Sequence, residues 1–292
     1  RKTSIIKASA KKNHKVLDPK YGVALIIGNR NYLSGIPNVK YAHRDAGAMQ
    51  AYLIDVLKYK QENIIYLKDA TKAMIEGAFG NENSHEGELW RYLDPNGNSN
   101  VIIYYSGHGV PGLKDKRGYL LPVNADPNMP EINGYSINLL YKNLKKLKTK
   151  TVTVFLDACF SGASEGGTLV SNASGMSILP KLPEASDTMV VFTASRGDQI
   201  ASWDEKARHG LFTNYLLEGL YGQADKAANG NQDGTITAGE IQDYLTEHMT
   251  VAARRAFGRH QNPTIKGDTS RILANYTPGN YPKRPTLNGK IN

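Results

Sequence analysis

The chain has 292 residues, 40% of them hydrophobic and 22% charged, enough for one large domain or two small ones with a substantial core. No apolar run nears the ~20 residues that a membrane helix needs, and the single cysteine excludes an internal disulfide. The formal charge of +9 comes from dispersed lysines and arginines, with no aromatic-interleaved basic patch, so it reads as a solvated face and nucleic-acid binding is not expected.

Residues 1–18 are polar, basic and aperiodic, and read as a flexible lead-in. Tyr21–Gly28 is a strand apolar on both faces, as parallel strands are. Helical spacing follows from Lys40 to Leu57, then a strand at Asn63–Leu67 and helical segments at Thr71–Phe79 and Ser84–Leu93. Val101–Tyr105 is the third strand, and Gly118–Pro122 reads as a short edge strand. Ser136 is placed to cap a helix whose stripe is Ile137, Leu140, Tyr141, Leu144 and Leu147, with its lysines on the other face. Thr151–Leu156 and Met189–Thr193 are the fourth and fifth strands, separated by a Gly/Ser-rich loop over Ser161–Ser177. Leu211–Leu220 and Ile241–Phe257 read as helices, and the tail from Pro278 as irregular. This alternation implies an α/β fold with a mostly parallel sheet covered on both faces. Ligands bind beyond the carboxyl ends of such strands.

Two strings stand at strand ends. Ser106-Gly107-His108-Gly109 follows the third strand and Asp157-Ala158-Cys159-Phe160-Ser161-Gly162 the fourth. A buried small hydrophobe is the bland reading of a lone Cys, but the turn residues around Cys159 and the glycines beside His108 argue that both side chains leave the core. A cysteine attacks a carbonyl as thiolate, and an imidazole beside it takes and returns the proton. The N–H groups of Gly109 and Cys159 are candidates for an oxyanion hole.

This pair of motifs, with His 51 residues before Cys, resembles the caspase-like cysteine peptidases of clan CD, nearest the bacterial caspase-like and metacaspase branch. The resemblance covers roughly Tyr21–Tyr276 and implies a three-layer caspase-like fold with a six-stranded sheet. It also implies a peptidase domain over 19–277, with large-subunit-like 19–182 and small-subunit-like 183–277, between the lead-in 1–18 and the tail 278–292. Animal caspases carry Gln-Ala-Cys-[Arg/Gln/Gly]-Gly, from which Asp157 and Phe160-Ser161 depart. In metacaspase-like enzymes the acid two positions before the nucleophile lines the primary pocket, with a second acid from the first helix. Asp157 and Asp45 match these positions, so the resemblance implies cleavage after Arg or Lys, not after Asp. Ser202, through its backbone, and Trp203, by packing, are implied substrate contacts. Maturation by self-cleavage is a further implication, near Lys181 or in the loop holding Lys114, Lys116 and Arg117.

Residues 229–240 fit the twelve-residue EF-hand pattern, with Asn229, Asn231, Asp233, the Thr235 carbonyl, Thr237 and Glu240 as calcium ligands. Asn at the first position leaves two carboxylates. The plainer reading is a turn followed by a Thr237–Glu240 capping box. No cofactor is expected for the chemistry itself, and calcium is a candidate regulator. The expected partners are protein or peptide substrates with Arg or Lys before the scissile bond. No membrane or nucleic acid is expected, and the chain is read as a soluble monomer, cytoplasmic sooner than exported. Two alternatives stay open: a catalytically silent caspase-like interaction module, and a calcium-sensing module with a vestigial site.

Overall fold

The computed structural model describes residues 17–33, 35–165, 167–170 and 183–285. A six-stranded sheet organises them. Its strands in chain order are β1 (Gly22–Gly28), β2 (Ile64–Lys68), β3 (Asn100–Ser106), β4 (Thr151–Asp157), β5 (Met189–Thr193) and β6 (Thr264–Lys266). Their spatial order is β6-β5-β4-β3-β1-β2, parallel except for antiparallel β6. The first four strands lie in 19–182 and the last two in 183–277, so both expected halves build one sheet.

The strands are apolar throughout because both faces are covered. On one face Ala24, Ile26, Ile102, Tyr104, Phe155 and Phe192 meet α1 (Ala42–Ala51), α4 (Leu211–Glu218), α5 (Ala238–Tyr244) and α6 (Thr250–Phe257). On the other face Leu25, Ile27, Ile103, Tyr105, Val154 and Leu156 meet α2 (Lys72–Phe79) and α3 (Ile137–Lys146). The two-residue side-chain period sorts each strand between these layers.

Several elements differ from the sequence reading. Only Glu88–Arg91 of the expected helix Ser84–Leu93 is helical. The Asn81 side chain captures the N–H groups of Asn83 and Ser84, and Gly87 is extended, so the preceding residues turn instead. Gly118–Leu120 is not an edge; it is the middle strand between Gly109–Pro111 and Tyr135–Ser136. Ser136 stands at the N-cap of α3, but its hydroxyl makes no capping bond. The last helix starts at Ala238, earlier than Ile241, because the Thr237–Glu240 capping box forms. The loop after β4 contains a small hairpin, Ala163–Ser164 with Gly167–Thr168. The described part of the tail packs back: Tyr281 donates to Asp225, and Arg284 to Asn214. Lys181, most of the lead-in and residues 286–292 lie outside the described residues. Among the described residues, no helix is long and apolar enough to cross a membrane.

Candidate active site

The sheet register positions the site. Ser106 on β3 is level with Asp157 on β4. His108 and Cys159 each lie two residues past that pair, so adjacent strands release both side chains at the same height. Ser106 and Asp157 share the Tyr104–Phe155 face, which is covered by α1 and α4, and these helices bring Asp45 and Thr213 to them. One cleft is accordingly lined by Cys159, His108, Asp45, Asp157, Ser202 and Trp203. Its free volume is about 20 Å³, little more than one water needs.

His108 is buried, its ring 4.5 Å from that of Tyr32. Its Nε2 lies 2.6 Å from the Pro37 carbonyl oxygen. A carbonyl only accepts, so Nε2 carries the proton and Nδ1 remains as the basic nitrogen. The backbone is fixed as well: the His108 N–H donates to Tyr32 Oη, and Tyr105 Oη donates to the His108 carbonyl. Burial pushes the imidazole down to about 4, against the opposing Pro37 hydrogen bond. Cys159 is 8% exposed, and burial pushes its thiol up to about 12. The Ala201 N–H donates to Sγ at 2.8 Å and works in the other direction. The resting pair is therefore neutral thiol and neutral imidazole.

The two acids form one buried cluster. Asp45 Oδ1 and His209 Nδ1 hold a proton between them at 2.6 Å, and the Gly210 N–H also donates to Asp45. Asp157 Oδ2 accepts from the Thr213 hydroxyl at 2.5 Å and from its N–H. Because that hydroxyl gives its proton to Asp157, Tyr104 Oη, 2.5 Å away, donates to Thr213. Burial raises Asp45 well above the ordinary carboxylate range, and burial with the Asp45 charge raises Asp157 as well. Burial lowers His209 to about 4, helped by the Arg284 and Arg44 charges. A Cβ on Gly210 would lie 2.3 Å from Asp157 Oδ2, so only glycine leaves this space open.

Other expected residues are placed differently. Gly109 is not among the cleft-lining residues; a Cβ there would sit 2.6 Å from the Cys159 carbonyl, so glycine lets the two backbones meet. Both backbone groups of Ser202 have internal partners: its N–H donates to Gln261, and its carbonyl accepts from the Leu211 N–H. Its N–H is thereby taken, while its carbonyl keeps a second lone pair. Trp203 meets Tyr41 edge-on, and its strand residue pairs with Gly210. Glu165 also lines the cleft. Arg259 bridges Glu165 and the Ser202 hydroxyl, both at the cleft wall.

The expected calcium residues form a turn and a helix cap. Asn231 accepts from the Asp233 N–H, Asp233 from the Thr235 N–H, and Glu240 Oε2 from Thr237. The Gly234 N–H is taken by Asp225, not by Asn229. Asp225 Oδ1 and Glu240 Oε1 are buried without partners. Among the described residues, however, no three His, Cys, Asp or Glu side chains converge to hold a metal. The pattern itself brings only two such side chains, Asp233 and Glu240, so calcium binding there stays a proposal, and no catalytic step is assigned to a metal.

The family model for the caspase domain of peptidase family C14 matches residues 21–272. The chain belongs to the caspase-domain family. A solved structure of caspase-1 from Spodoptera frugiperda superposes on it with a TM-score of 0.59 at 12% identity, covering 96% of this chain and 100% of that one. At that identity the likeness speaks for the fold: this caspase domain keeps the mostly parallel six-stranded sheet flanked by helices. No curated protein sequence gives a significant match. The family is one of cysteine peptidases acting on protein substrates, and the residues of this caspase domain that fit that chemistry converge in the cleft.

The sequence reading did not single out Pro37, Tyr32, His209, Gly210, Thr213, Glu165 or Arg259. Most lie far along the chain from the two motifs, and Arg208-His209-Gly210 matches no pattern that marks a pocket.

Proposed function

We propose that this chain is a cysteine endopeptidase that cleaves after Arg or Lys, with Cys159 as nucleophile and His108 as proton carrier. The observation that carries the specificity is the cluster of Asp45 and Asp157, two buried carboxyls on the cleft that also holds Cys159 and His108. A guanidinium or ammonium placed there meets two carboxyls in a low-dielectric site, favouring their ionised forms. An acidic substrate side chain would meet like charge.

In the proposed reaction, Sγ of Cys159 attacks the scissile carbonyl carbon. The thiol proton passes to His108 Nδ1, the nitrogen left unprotonated by the Nε2–Pro37 bond. His108 returns it to the leaving amine as the C–N bond breaks, giving an acyl-enzyme. Water then attacks the thioester with His108 as base, releasing the acid and restoring the thiol. The Cys159 and Gly109 N–H groups are the proposed donors to the oxyanion. Self-cleavage remains a proposal at the exposed Lys114–Arg117 loop, where Arg117 donates its N–H to Asp115. Mass spectrometry of active protein checks it, and an intact chain would oppose it.

The test is hydrolysis of three fluorogenic peptides with Arg, Lys or Asp before the reporter, with calcium and with chelator. A Cys159→Ala chain runs beside them. The proposal expects release after Arg and Lys only, lost in Cys159→Ala. Release after Asp would overturn the specificity, and release undiminished in Cys159→Ala would overturn the nucleophile. Loss of release with chelator would return calcium to the account.

A further inference from the structure

A second concavity lies outside the cleft, beyond the carboxyl ends of β1 and β2. Its volume is about 350 Å³, inside the ~300–1,000 Å³ range of small-ligand sites. Five permanent cations line it: Arg30, Lys40, Arg44, Lys68 and Arg208. Arg30 follows β1, and Lys68 closes β2 in register with Gly28. Lys40 stands just before α1, Arg44 lies in its first turn, and Arg208 comes from the turn before His209.

Among the described residues, Asp69 and Glu205 are the carboxylates that bind at this wall beside its five cations. Asp69 binds the neighbouring His43 at 2.8 Å and accepts from the Arg30 and Asn31 N–H groups. Glu205 accepts from Lys40 and from Tyr41 Oη, each at 2.6 Å. Asp45 faces the other way, onto His209 and Gly210. Arg208 is held at φ 59°, in the left-handed region that side chains avoid, with its N–H on the Asp204 carbonyl. Burial and the Arg208 charge both hold the Arg44 guanidinium below its ordinary range. Like charges thus stand together around an open, ligand-sized space.

We propose that this pocket binds a small oligophosphate, either inorganic or the triphosphate of a nucleotide. Three guanidiniums offer paired N–H donors that match phosphate oxygens, and two ammoniums add point charges. A bound oligophosphate bridges Arg44 and Arg208, whose chain neighbours are Asp45 and His209 of the acidic cluster. Oligophosphate binding is independent of the peptidase reading and is tested without catalysis.

The experiment is calorimetric titration of the full chain with phosphate, tripolyphosphate and ATP. Tripolyphosphate is expected to bind at one site per chain, more tightly than phosphate. An Arg30→Ala/Arg208→Ala variant is expected to weaken it by about tenfold or more, since each charge-assisted hydrogen bond contributes at that level. A Lys145→Ala/Lys146→Ala control on the far face of α3 is expected to keep the parent affinity. Equal affinity for ATP and tripolyphosphate assigns recognition to the phosphates, and tighter ATP assigns the ligand to the nucleotide class. No saturable tripolyphosphate binding, or an equal loss in the control, overturns the proposal.

Discussion

At the residue scale, the acidic cluster makes a pH prediction with a definite sign. Burial holds Asp45 and Asp157 well above the ordinary carboxylate range, so the resting pocket keeps protons that free carboxyls would have lost. A cationic side chain needs the ionised form, so KM for an Arg peptide should fall as pH rises from about 6 to about 8. His108, lowered to about 4, stays neutral over that window and adds no limb of its own. A pH-independent KM would contradict this. Raised carboxyls also hold in the folded state protons that the unfolded chain releases. They therefore cost stability increasingly as pH climbs from ordinary carboxylate values through their folded values. Asp157→Asn should raise the melting temperature more at pH 8 than at pH 5. It should also lower kcat/KM for Arg peptides about a hundredfold, from the ~3 kcal/mol scale of losing one member of a buried charged group. Gly210→Ala places a methyl against Asp157 Oδ2 and should abolish Arg cleavage while circular dichroism stays native. Retained cleavage would mean that the pocket lies elsewhere.

At the element scale, the hairpin of Ala163–Ser164 and Gly167–Thr168 and the segment after α6 meet beside the cleft through Glu165 and Arg259. A peptide side chain needs more room than the cleft now holds, and this pair at its wall is expected to yield on binding. The pair is part-exposed, so it is worth roughly 1 kcal/mol after screening. Glu165→Ala should therefore raise kcat/KM about fivefold, chiefly through KM; an unchanged KM would show that the hairpin already yields freely. The elements also show why the sequence was legible in part. Cys159 and His108 sit in turn motifs at strand ends, where turn chemistry speaks directly, whereas Asp45 and Asp157 are reached only through the family resemblance. Thr213 and His209 reach the acidic cluster only because α4 and its preceding turn pack over the ends of β3 and β4. Strand β6 has three half-buried residues after Pro263, too short for an alternation to stand out. In residues 229–240 the ligand pattern and the helix cap use the same side chains. The structure favours the cap because Thr237 and Glu240 satisfy each other's backbone locally.

At the scale of the whole molecule, the parallel sheet is the device that lets two distant motifs share one cleft. Ladder register fixes their height, and the two-residue period decides that Asp157 faces α1 and α4 while its neighbours face α2 and α3. Phe155, stacked on Phe192 at 5.1 Å in the centre of that layer, holds β4 under the pocket. Phe155→Ala should cost roughly 3–5 kcal/mol of stability by denaturant unfolding; a loss under about 1 kcal/mol would mean that the layer does not position the site. The fold class followed from strand–helix alternation, whereas the return of Arg284 to Asn214 depends on the finished surface that it meets. The central claim is that the nucleophile and an acidic specificity pocket share one cleft. Its most direct test is intact-mass and peptide mapping after treatment with two acyloxymethyl ketones, one carrying Arg and one Asp. The account predicts a single adduct on Cys159 from the Arg reagent, formed about a hundredfold more slowly in Asp157→Asn, and none from the Asp reagent. Labelling by the Asp reagent, or an Arg adduct away from Cys159, would contradict it.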